Sequence, residues 1–287
     1  MKFAIRDDDT NYFTSPEELT NCYSSIWDLC PVSLSVIPFV NYRFDKAIDF
    51  YLKNRRLSEE LIRIDKVYAI GENHRLTCFL KTKTQERRIS VNVHGIHHRN
   101  SRDTKEFYTD QDLTEPLRQA KHYLEQLLQT RIKTFVPPHN LLSEKGYLAV
   151  INNGLNLVGW LPIGNRILRL AYLPTYLRLL SFRFRYRECV YPYVLRFGSR
   201  SEATYHSLTP TVSFETLTTA FDFAYRKDGI FILSTHYWEL GARQCYSSDV
   251  TVSDVLSRFM NYVSKHNGVR YCSVNDIFQT ARGEAFA

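Results

Sequence analysis

The chain of 287 residues is 44% hydrophobic and 23% charged, which excludes a disordered protein and is typical of a globular one. No segment approaches the run of about eighteen apolar residues that a transmembrane helix needs. An acidic cluster follows the first apolar residues too closely for a signal peptide. The six cysteines include no CxxC pair and no cysteine-based zinc spacing, as expected for reduced thiols. We therefore predict a cytoplasmic protein.

Short apolar segments alternate with helical patterns along the chain. The segments that predict strands are KFAI, VSLSVI, RISVNV, KTFV, LNLVGW, GIFILST and VRYCSV. Between the first two, Ser15, Pro16 and Glu18 provide an N-cap, a first-turn proline and a capping box. Apolar stripes over residues 110–130 and in TVSDVLSRFMNYVSKHNG predict two further helices, the second ending near Gly268.

Strands that alternate with amphipathic helices predict βαβ units and a parallel sheet. No internal repeat or low-complexity linker divides the sequence, so we predict one α/β barrel domain over residues 1–287. In such barrels the reactive residues lie where strands reach the carboxyl edge of the sheet. Chemistry-bearing side chains should therefore follow several of the predicted strands.

The first such group is acidic. The stretch IRDDDTNYF places Asp7, Asp8 and Asp9 directly after the first apolar residues. A solvated turn would explain them, but adjacent carboxylates also suit a metal or acid–base site if partners lie elsewhere in the chain.

The partners that the sequence offers are histidines. RISVNVHGIHH places His94, His97 and His98 after an apolar strand. In a helical turn the i, i+4 pair His94 and His98 would project from one face and could share an ion. His97 would point elsewhere in that geometry, with an i, i+3 pairing of His97 with His94 as the alternative. An exposed polar turn is the alternative. Two imidazoles and a carboxylate would form a three-ligand site with an open position, as in catalytic zinc sites.

Two later strands end in similar groups. In KTFVPPHN, Pro137 and Pro138 stiffen the loop that follows the strand. In GIFILSTHYWEL, His236 follows an apolar strand and is a candidate acid or base. Taken alone, the first could be a rigid connector and the second a structural polar residue.

Together, RDDD, HGIHH, FVPPHN and LSTH resemble, in this order, the four motifs of the polysaccharide deacetylases of the NodB-homology superfamily. The resemblance implies a distorted (β/α) barrel with about seven parallel strands. It also implies a hydrolase that removes acyl groups, usually acetyl from N-acetylated sugars. Such enzymes use a divalent metal ion, here expected to be zinc, with cobalt, nickel or iron as alternatives.

Carried over by motif, the resemblance makes Asp7 the general base and Asp8 a metal ligand with His94 and His98. Asp9 stands where the family usually has glycine, so a shift of one residue would make Asp8 the base instead.

The same resemblance makes His236 the general acid and gives the backbone N–H of His139 a role in binding the oxyanion. Two family features are missing. Val136 stands where an arginine usually pairs with the base, and Arg6 is a doubtful substitute because adjacent strand residues point to opposite faces. No acidic partner for the late histidine is evident near LVGWLP.

The whole excess of positive charge lies in one segment. Residues 166–200 contain eight arginines, one glutamate and no lysine or aspartate, against a net charge of +7 for the chain. We interpret this segment as an insertion whose arginines are solvated or paired. The alternatives are an acidic or phosphate-bearing substrate, peripheral contact with the inner face of an anionic membrane, or a second protomer. Nucleic acid is disfavoured because no nucleic-acid-binding module accompanies the segment.

The sequence therefore predicts an N-deacetylase of an N-acylated sugar, glycan or lipid-linked glycan in bacterial surface-polysaccharide biosynthesis, such as that of O-antigen or capsule. Within the enzyme class, a deformylase of a lipid-linked amino sugar is the alternative. Outside it, the alternatives are a non-catalytic glycan-binding or complex-forming relative on the same fold and an adaptor based on the arginine segment. The sugar, the acyl group and the oligomeric state do not follow from the sequence.

Overall fold

A computed structural model of the chain describes residues 1–41, 66–99, 105–159 and 170–279. In these residues a ten-stranded sheet has the order β10-β11-β1-β2-β5-β6-β7-β9-β8, and β14 pairs with the start of β1. The strands of this sheet are β1 (Lys2–Thr10), β2 (Val32–Val36), β5 (Ile89–Val93), β6 (Thr134–Phe135), β7 (Asn156–Val158), β8 (Leu195–Phe197), β9 (Arg200–Ala203), β10 (His206–Ser207), β11 (Ile230–His236) and β14 (Arg270–Tyr271). Two small antiparallel sheets pair β3 (Phe39–Asn41) with β4 (Val67–Ala69) and β12 (Arg243–Gln244) with β13 (Ser247–Thr251).

Helices connect the strands of the large sheet. They are α1 (Pro16–Tyr23), α2 (His74–Gln85), α3 (Thr114–Leu128), α4 (Glu144–Asn152), α5 (Leu173–Arg185), α6 (Phe214–Arg226), α7 (Val252–Ser264) and α8 (Val274–Ile277). All strand pairs of the sheet are parallel except β8 with β9. The sheet curls into a half-barrel whose end strands, β10 and β8, do not pair within the described residues. The predicted distorted (β/α) barrel is confirmed.

Local sequence signals account for much of this architecture. The predicted capping box at the start of α1 is present. The Ser15 hydroxyl accepts the backbone N–H of Glu18, and the Glu18 carboxylate accepts the backbone N–H of Ser15. The two predicted apolar stripes form the buried faces of α3 and α7. The last predicted strand is shorter than expected, because only β14 is extended and Val274 already begins α8.

The strand that carries the acidic cluster is anchored by aromatic packing. Phe3 of β1 stacks on Phe231 of β11 with ring centroids 5.8 Å apart, and it also contacts Phe221 of α6 and Phe259 of α7. All four side chains are fully buried. Aromatic packing of this kind anchors β1 to its neighbour β11 and to the two helices.

The sequence suggested that the acidic cluster follows the first strand. It lies instead within β1, because β1 continues to Thr10. Among the described residues, no helix combines the length and the apolar character needed to cross a lipid bilayer.

Candidate metal and acid–base site

A bulge near the end of β1 separates the three aspartates. Asp7 pairs with Leu34 of β2, but the next partner, Val36, pairs with Thr10, so β1 holds one extra residue in this interval. Asp9 has a φ of 72°, a left-handed conformation that aspartate tolerates better than most residues. A bulge re-aims the side chains beside it. The regular alternation of β1 therefore ends at Asp8, and Asp9 is turned toward the loop that follows β5.

Asp9 contacts the first and the last of the three histidines of the HGIHH motif. Its Oδ1 lies 3.3 Å from Nε2 of His94 and 3.3 Å from Nε2 of His98. Asp9, His94 and His98 form the one cluster in the described parts of the chain whose acidic and imidazole groups are arranged to share a metal ion, and all three are buried. Burial raises the pKa of Asp9, but the neighbouring imidazoles outweigh it and hold the pKa below its ordinary range.

The donor set fits a divalent cation. Nδ1 of His94 lies 2.9 Å from the carbonyl oxygen of Val136, and since a carbonyl only accepts, Nδ1 carries the proton and leaves Nε2 as a ligand. Two donors about 2.0–2.1 Å from a tetrahedral ion lie roughly 3.3 Å apart. The separation between Asp9 and each imidazole is 3.3 Å, which agrees with this geometry.

The loop that presents the histidines is not the helical turn that the i, i+4 spacing suggested. His94 follows β5, and the chain then bends with a φ of 55° at His98. The carboxylate of Glu106 organises this loop by accepting the backbone N–H groups of Ile96, His97 and His98 at 2.9, 2.8 and 3.1 Å. The motifs did not point to Glu106, because it lies outside them.

Gly95 is required in the same loop. Its φ is +70°, and a Cβ at this position would lie 2.5 Å from Oε2 of Glu106 and 2.5 Å from Cγ of Pro138. His97 points away, as predicted, with Nδ1 2.8 Å from the carbonyl oxygen of Phe39.

Asp8, predicted as a ligand, is held instead by Arg6. The Arg6 guanidinium donates to Oδ2 of Asp8 at 2.7 Å, to the hydroxyl of Ser234 at 2.9 Å and to the carbonyl oxygen of Val158 at 3.1 Å. Both side chains of the pair are buried. Burial raises the pKa of Asp8, and the charge of Arg6 reverses that effect and keeps the pKa below its usual value.

The doubt about Arg6 is resolved by its spacing from Asp8. Residues i and i+2 of a strand lie on the same face, so Arg6 reaches Asp8, whereas Asp7 between them does not join the pair. The guanidinium that faces the Asp8 carboxylate therefore comes from β1 itself.

Asp7, predicted as the base, is not brought to the imidazoles. It lies on the opposite face of β1, where Tyr23 of α1 donates its hydroxyl hydrogen to Oδ2. Burial raises the pKa of Asp7 well above its ordinary value. The hydrogen bond to Tyr23 therefore directs the Asp7 carboxyl group toward α1.

His236 lies on the other side of Asp9, at the end of β11. Its Nε2 is 3.8 Å from Oδ2 of Asp9, and its Nδ1 is 2.9 Å from Oε2 of Glu239. Burial lowers the pKa of His236, but the hydrogen bond to Glu239 and the charges of Asp9 and Asp8 raise it to about 9. A cation at Asp9 would offset part of this effect, and the hydrogen bond to Glu239 would remain. Glu239 is thus the acidic partner of His236. It lies three residues after the histidine and not near LVGWLP.

Two further groups adjoin the cluster. Trp238 donates its Nε1–H to Oδ2 of Asp9 at 3.2 Å. The His139 ring lies 4.4 Å from that of His98, centroid to centroid, and His139 has a φ of 55°. The loop after β6 thus reaches the site. Left-handed conformations at Asp9, His98 and His139 concentrate backbone strain here, as is common at functional sites.

Comparisons with known proteins agree with this fold. No family model matches the sequence, and no curated protein matches it. A solved structure assigned to the polysaccharide deacetylases, from Mycobacterium smegmatis, aligns with 96% of this chain and 88% of its own at 10% identity and a TM-score of 0.54. A peptidoglycan N-acetylglucosamine deacetylase aligns with 98% of this chain and 89% of its own at 12% identity and a TM-score of 0.47.

The same fold also serves other chemistry. A 4-alpha-glucanotransferase from Thermococcus litoralis aligns with 96% of this chain and 40% of its own at 9% identity and a TM-score of 0.51. Fold likeness at such identities does not determine function, which has to be argued from the site. In fold, the chain is similar to the solved polysaccharide deacetylase structure from Mycobacterium smegmatis.

Proposed function

We propose that the chain is a metal-dependent hydrolase that removes an acyl group, most simply acetyl, from the nitrogen of an amino sugar. One observation carries the proposal: the three-donor cluster of Asp9, His94 and His98 adjoins a buried carboxylate, Asp8, and an imidazole, His236, whose partner favours its protonated form. Amide hydrolysis needs these three functions within a few ångströms.

Asp9, His94 and His98 would hold the ion, for which zinc is the first candidate because two imidazoles and a carboxylate are common zinc ligands. A divalent ion held there supplies Lewis acidity, which activates water for attack and polarises the acyl oxygen. Hydrogen bonds from neighbouring groups orient the proposed ligands. The Val136 carbonyl fixes His94, and Trp238 fixes the carboxylate of Asp9.

Asp8 is the proposed general base. Oδ2 is fixed by Arg6, whereas Oδ1 makes no hydrogen bond in the described part of the structure. A buried carboxylate with one oxygen held by a hydrogen bond and the other without one can accept a proton from water as that water attacks the acyl carbon. The Arg6 charge keeps Asp8 ionised in spite of its burial.

His236 is the proposed general acid. An amine leaves an acyl centre poorly unless its nitrogen receives a proton, and the imidazolium of His236 would donate it from Nε2. Glu239 holds the opposite nitrogen and so orients the ring. In the same proposal the backbone N–H of His139 stabilises the oxyanion, since the loop after β6 adjoins His98.

The substrate class is proposed from the fold likeness together with the site. An N-acylated sugar, free, nucleotide-linked or lipid-linked, is the first class to test, in the context of bacterial surface-polysaccharide synthesis. Purified protein loaded with zinc or cobalt should release acetate from a member of such a panel, and released acetate and formate should be measured separately. Formate alone would indicate the deformylase alternative. No release of either from any N-acylated sugar by metal-loaded protein would contradict the proposal and favour a binding function.

Glu239→Gln is expected to lower turnover of an N-acetyl substrate about tenfold, a part of the 10²–10⁴-fold that general acid catalysis contributes. The glutamine keeps the shape but loses the charge that favours protonated His236. An activated aryl acetate needs little protonation of its leaving group, so its hydrolysis should change far less. Initial rates on both substrates give the comparison, and an equal loss on both would show that Glu239 serves only the structure of the site.

A further inference from the structure

An unusual apolar stripe lies on the outer face of α5. Ten large hydrophobic side chains are exposed in the described residues, and five of them fall between positions 170 and 184. These five are Leu170, Leu173, Leu177, Leu180 and Phe184, spaced by three or four residues. Four of them lie on one side of α5, and Leu170 lies in the turn that precedes the helix. Leu170 is 90% exposed and Phe184 79% exposed, far more than a core residue could be.

The stripe is not the core face of the helix, because α5 already has one. Tyr176 and Leu179 are buried against Leu195 and Phe197 of β8. The Thr175 hydroxyl donates to the carbonyl oxygen of Arg196 at 3.0 Å. These contacts hold α5 on the protein and leave its outer stripe exposed. Contiguous exposed apolar surface of this kind marks an interaction site.

Arginines flank the stripe. Arg178, Arg183, Arg185 and Arg187 are exposed, and none forms an ion pair with any residue that the structure describes. From residue 170 to residue 187 there is no acidic side chain. Arg166 and Arg169, which belong to the segment identified in the sequence, lie outside the described residues.

We propose that this surface, the outer face of residues 170–187, binds an anionic lipid bilayer, with the helix lying in the plane of the interface. Leucine and phenylalanine would enter the boundary between headgroups and acyl chains, and the arginines would contact lipid phosphates. Charge complementarity selects this partner. A second copy of the chain would bring the same unpaired arginines toward one another, which is unfavourable. Nucleic acid would match the charge but would leave the leucine stripe in water. The inference is independent of the deacylase proposal.

Vesicle flotation with the full chain tests the apolar part. Wild type should float with vesicles of phosphatidylcholine and phosphatidylglycerol in a 7:3 ratio and not with phosphatidylcholine alone. A variant with Leu173→Ser, Leu177→Ser and Leu180→Ser should lose about tenfold or more in vesicle affinity. Leu29→Ser with Val67→Ser changes exposed apolar residues elsewhere and should bind as wild type does.

A second pair of variants tests the charge. Arg178→Glu with Arg183→Glu should reduce vesicle affinity by more than roughly 25-fold, since each arginine near an anionic surface contributes roughly fivefold. Arg226→Glu with Arg243→Glu makes the same change in net charge at exposed positions elsewhere and should have a much smaller effect. Raising salt from about 0.1 M to about 0.5 M should weaken wild-type binding.

Circular dichroism and light scattering complete the test. Folded variants that bind vesicles as tightly as wild type would overturn the proposal. A wild-type dimer that ignores anionic vesicles and becomes monomeric on serine substitution would also overturn it, and would assign the stripe to self-association. Equal wild-type binding to neutral and anionic vesicles would overturn the role given to the arginines.

Discussion

Asp9→Asn is expected to abolish tight metal binding, whereas the same substitution at Asp7 should leave it intact. Asp9 is the carboxylate that lies 3.3 Å from both imidazoles, and an amide oxygen is a neutral and weaker ligand for a divalent ion. Asp7 lies on the other face of β1 and bonds to Tyr23, a contact that asparagine can also accept. We expect about one zinc or cobalt ion per wild-type chain and a small fraction of that in Asp9→Asn.

Elemental analysis and titration with cobalt, followed by its visible spectrum, measure this difference. Asp7→Asn is the matched control because it makes the same change two residues away in the same strand. A variant series in which Asp8→Asn loses the ion and Asp9→Asn keeps it would restore the ligand assignment that the motif alone suggested. Failure of wild type to bind any divalent ion would contradict the site as a whole.

Asp8→Asn is expected to retain the metal and to lower turnover by about 10²–10⁴-fold, the usual contribution of a general base. Oδ1 of Asp8, which makes no hydrogen bond to the described residues, is the proposed proton acceptor. The side-chain amide of asparagine cannot take this role. Initial rates on the best substrate of the panel measure the effect, with Asp7→Asn as the control that should remain close to wild type.

A stability cost accompanies this substitution. Removing the Asp8 charge leaves the buried guanidinium of Arg6 without its carboxylate, and breaking a buried ion pair by removing one partner costs about 3–5 kcal/mol. Thermal unfolding should therefore shift downward, and retained metal would show that the folded site is intact. Loss of activity in Asp7→Asn, with Asp8→Asn still active, would return the role of base to Asp7.

The residues of the proposed chemistry come from different strands of the sheet. The base and one ligand come from β1, the other ligands follow β5, and the general acid ends β11. β1 pairs directly with β11, with Asp8 opposite His236. This pairing explains why the motif after β11, far away in sequence, reaches the motif in β1.

Local sequence patterns were sufficient to predict the elements of the fold and the types of group in the site. The capping box before α1 and the apolar stripes of α3 and α7 depend on contacts within one helix and its buried face, so local patterns predict them. The positions of His94, His98 and His236 after predicted strands follow from the same logic. His94 and His98 are brought together by the structure, and His236 lies beside them.

Which of the three aspartates contacts the histidines depends on how β1 pairs with β2 in the folded chain. A regular strand would have alternated the three carboxylates between two faces, and the extra residue of β1 opposite β2 breaks that alternation at Asp9. A bulge depends on how two strands pair, and strand pairing is not written in a local pattern. The contacts of Arg6 with Asp8, of Glu106 with the histidine loop and of Glu239 with His236 span only two to ten residues of sequence. They depend on the folded course of the backbone, which the motifs do not specify. The sequence therefore identifies the chemistry, and the pairing of β1 with its neighbours assigns it to individual residues.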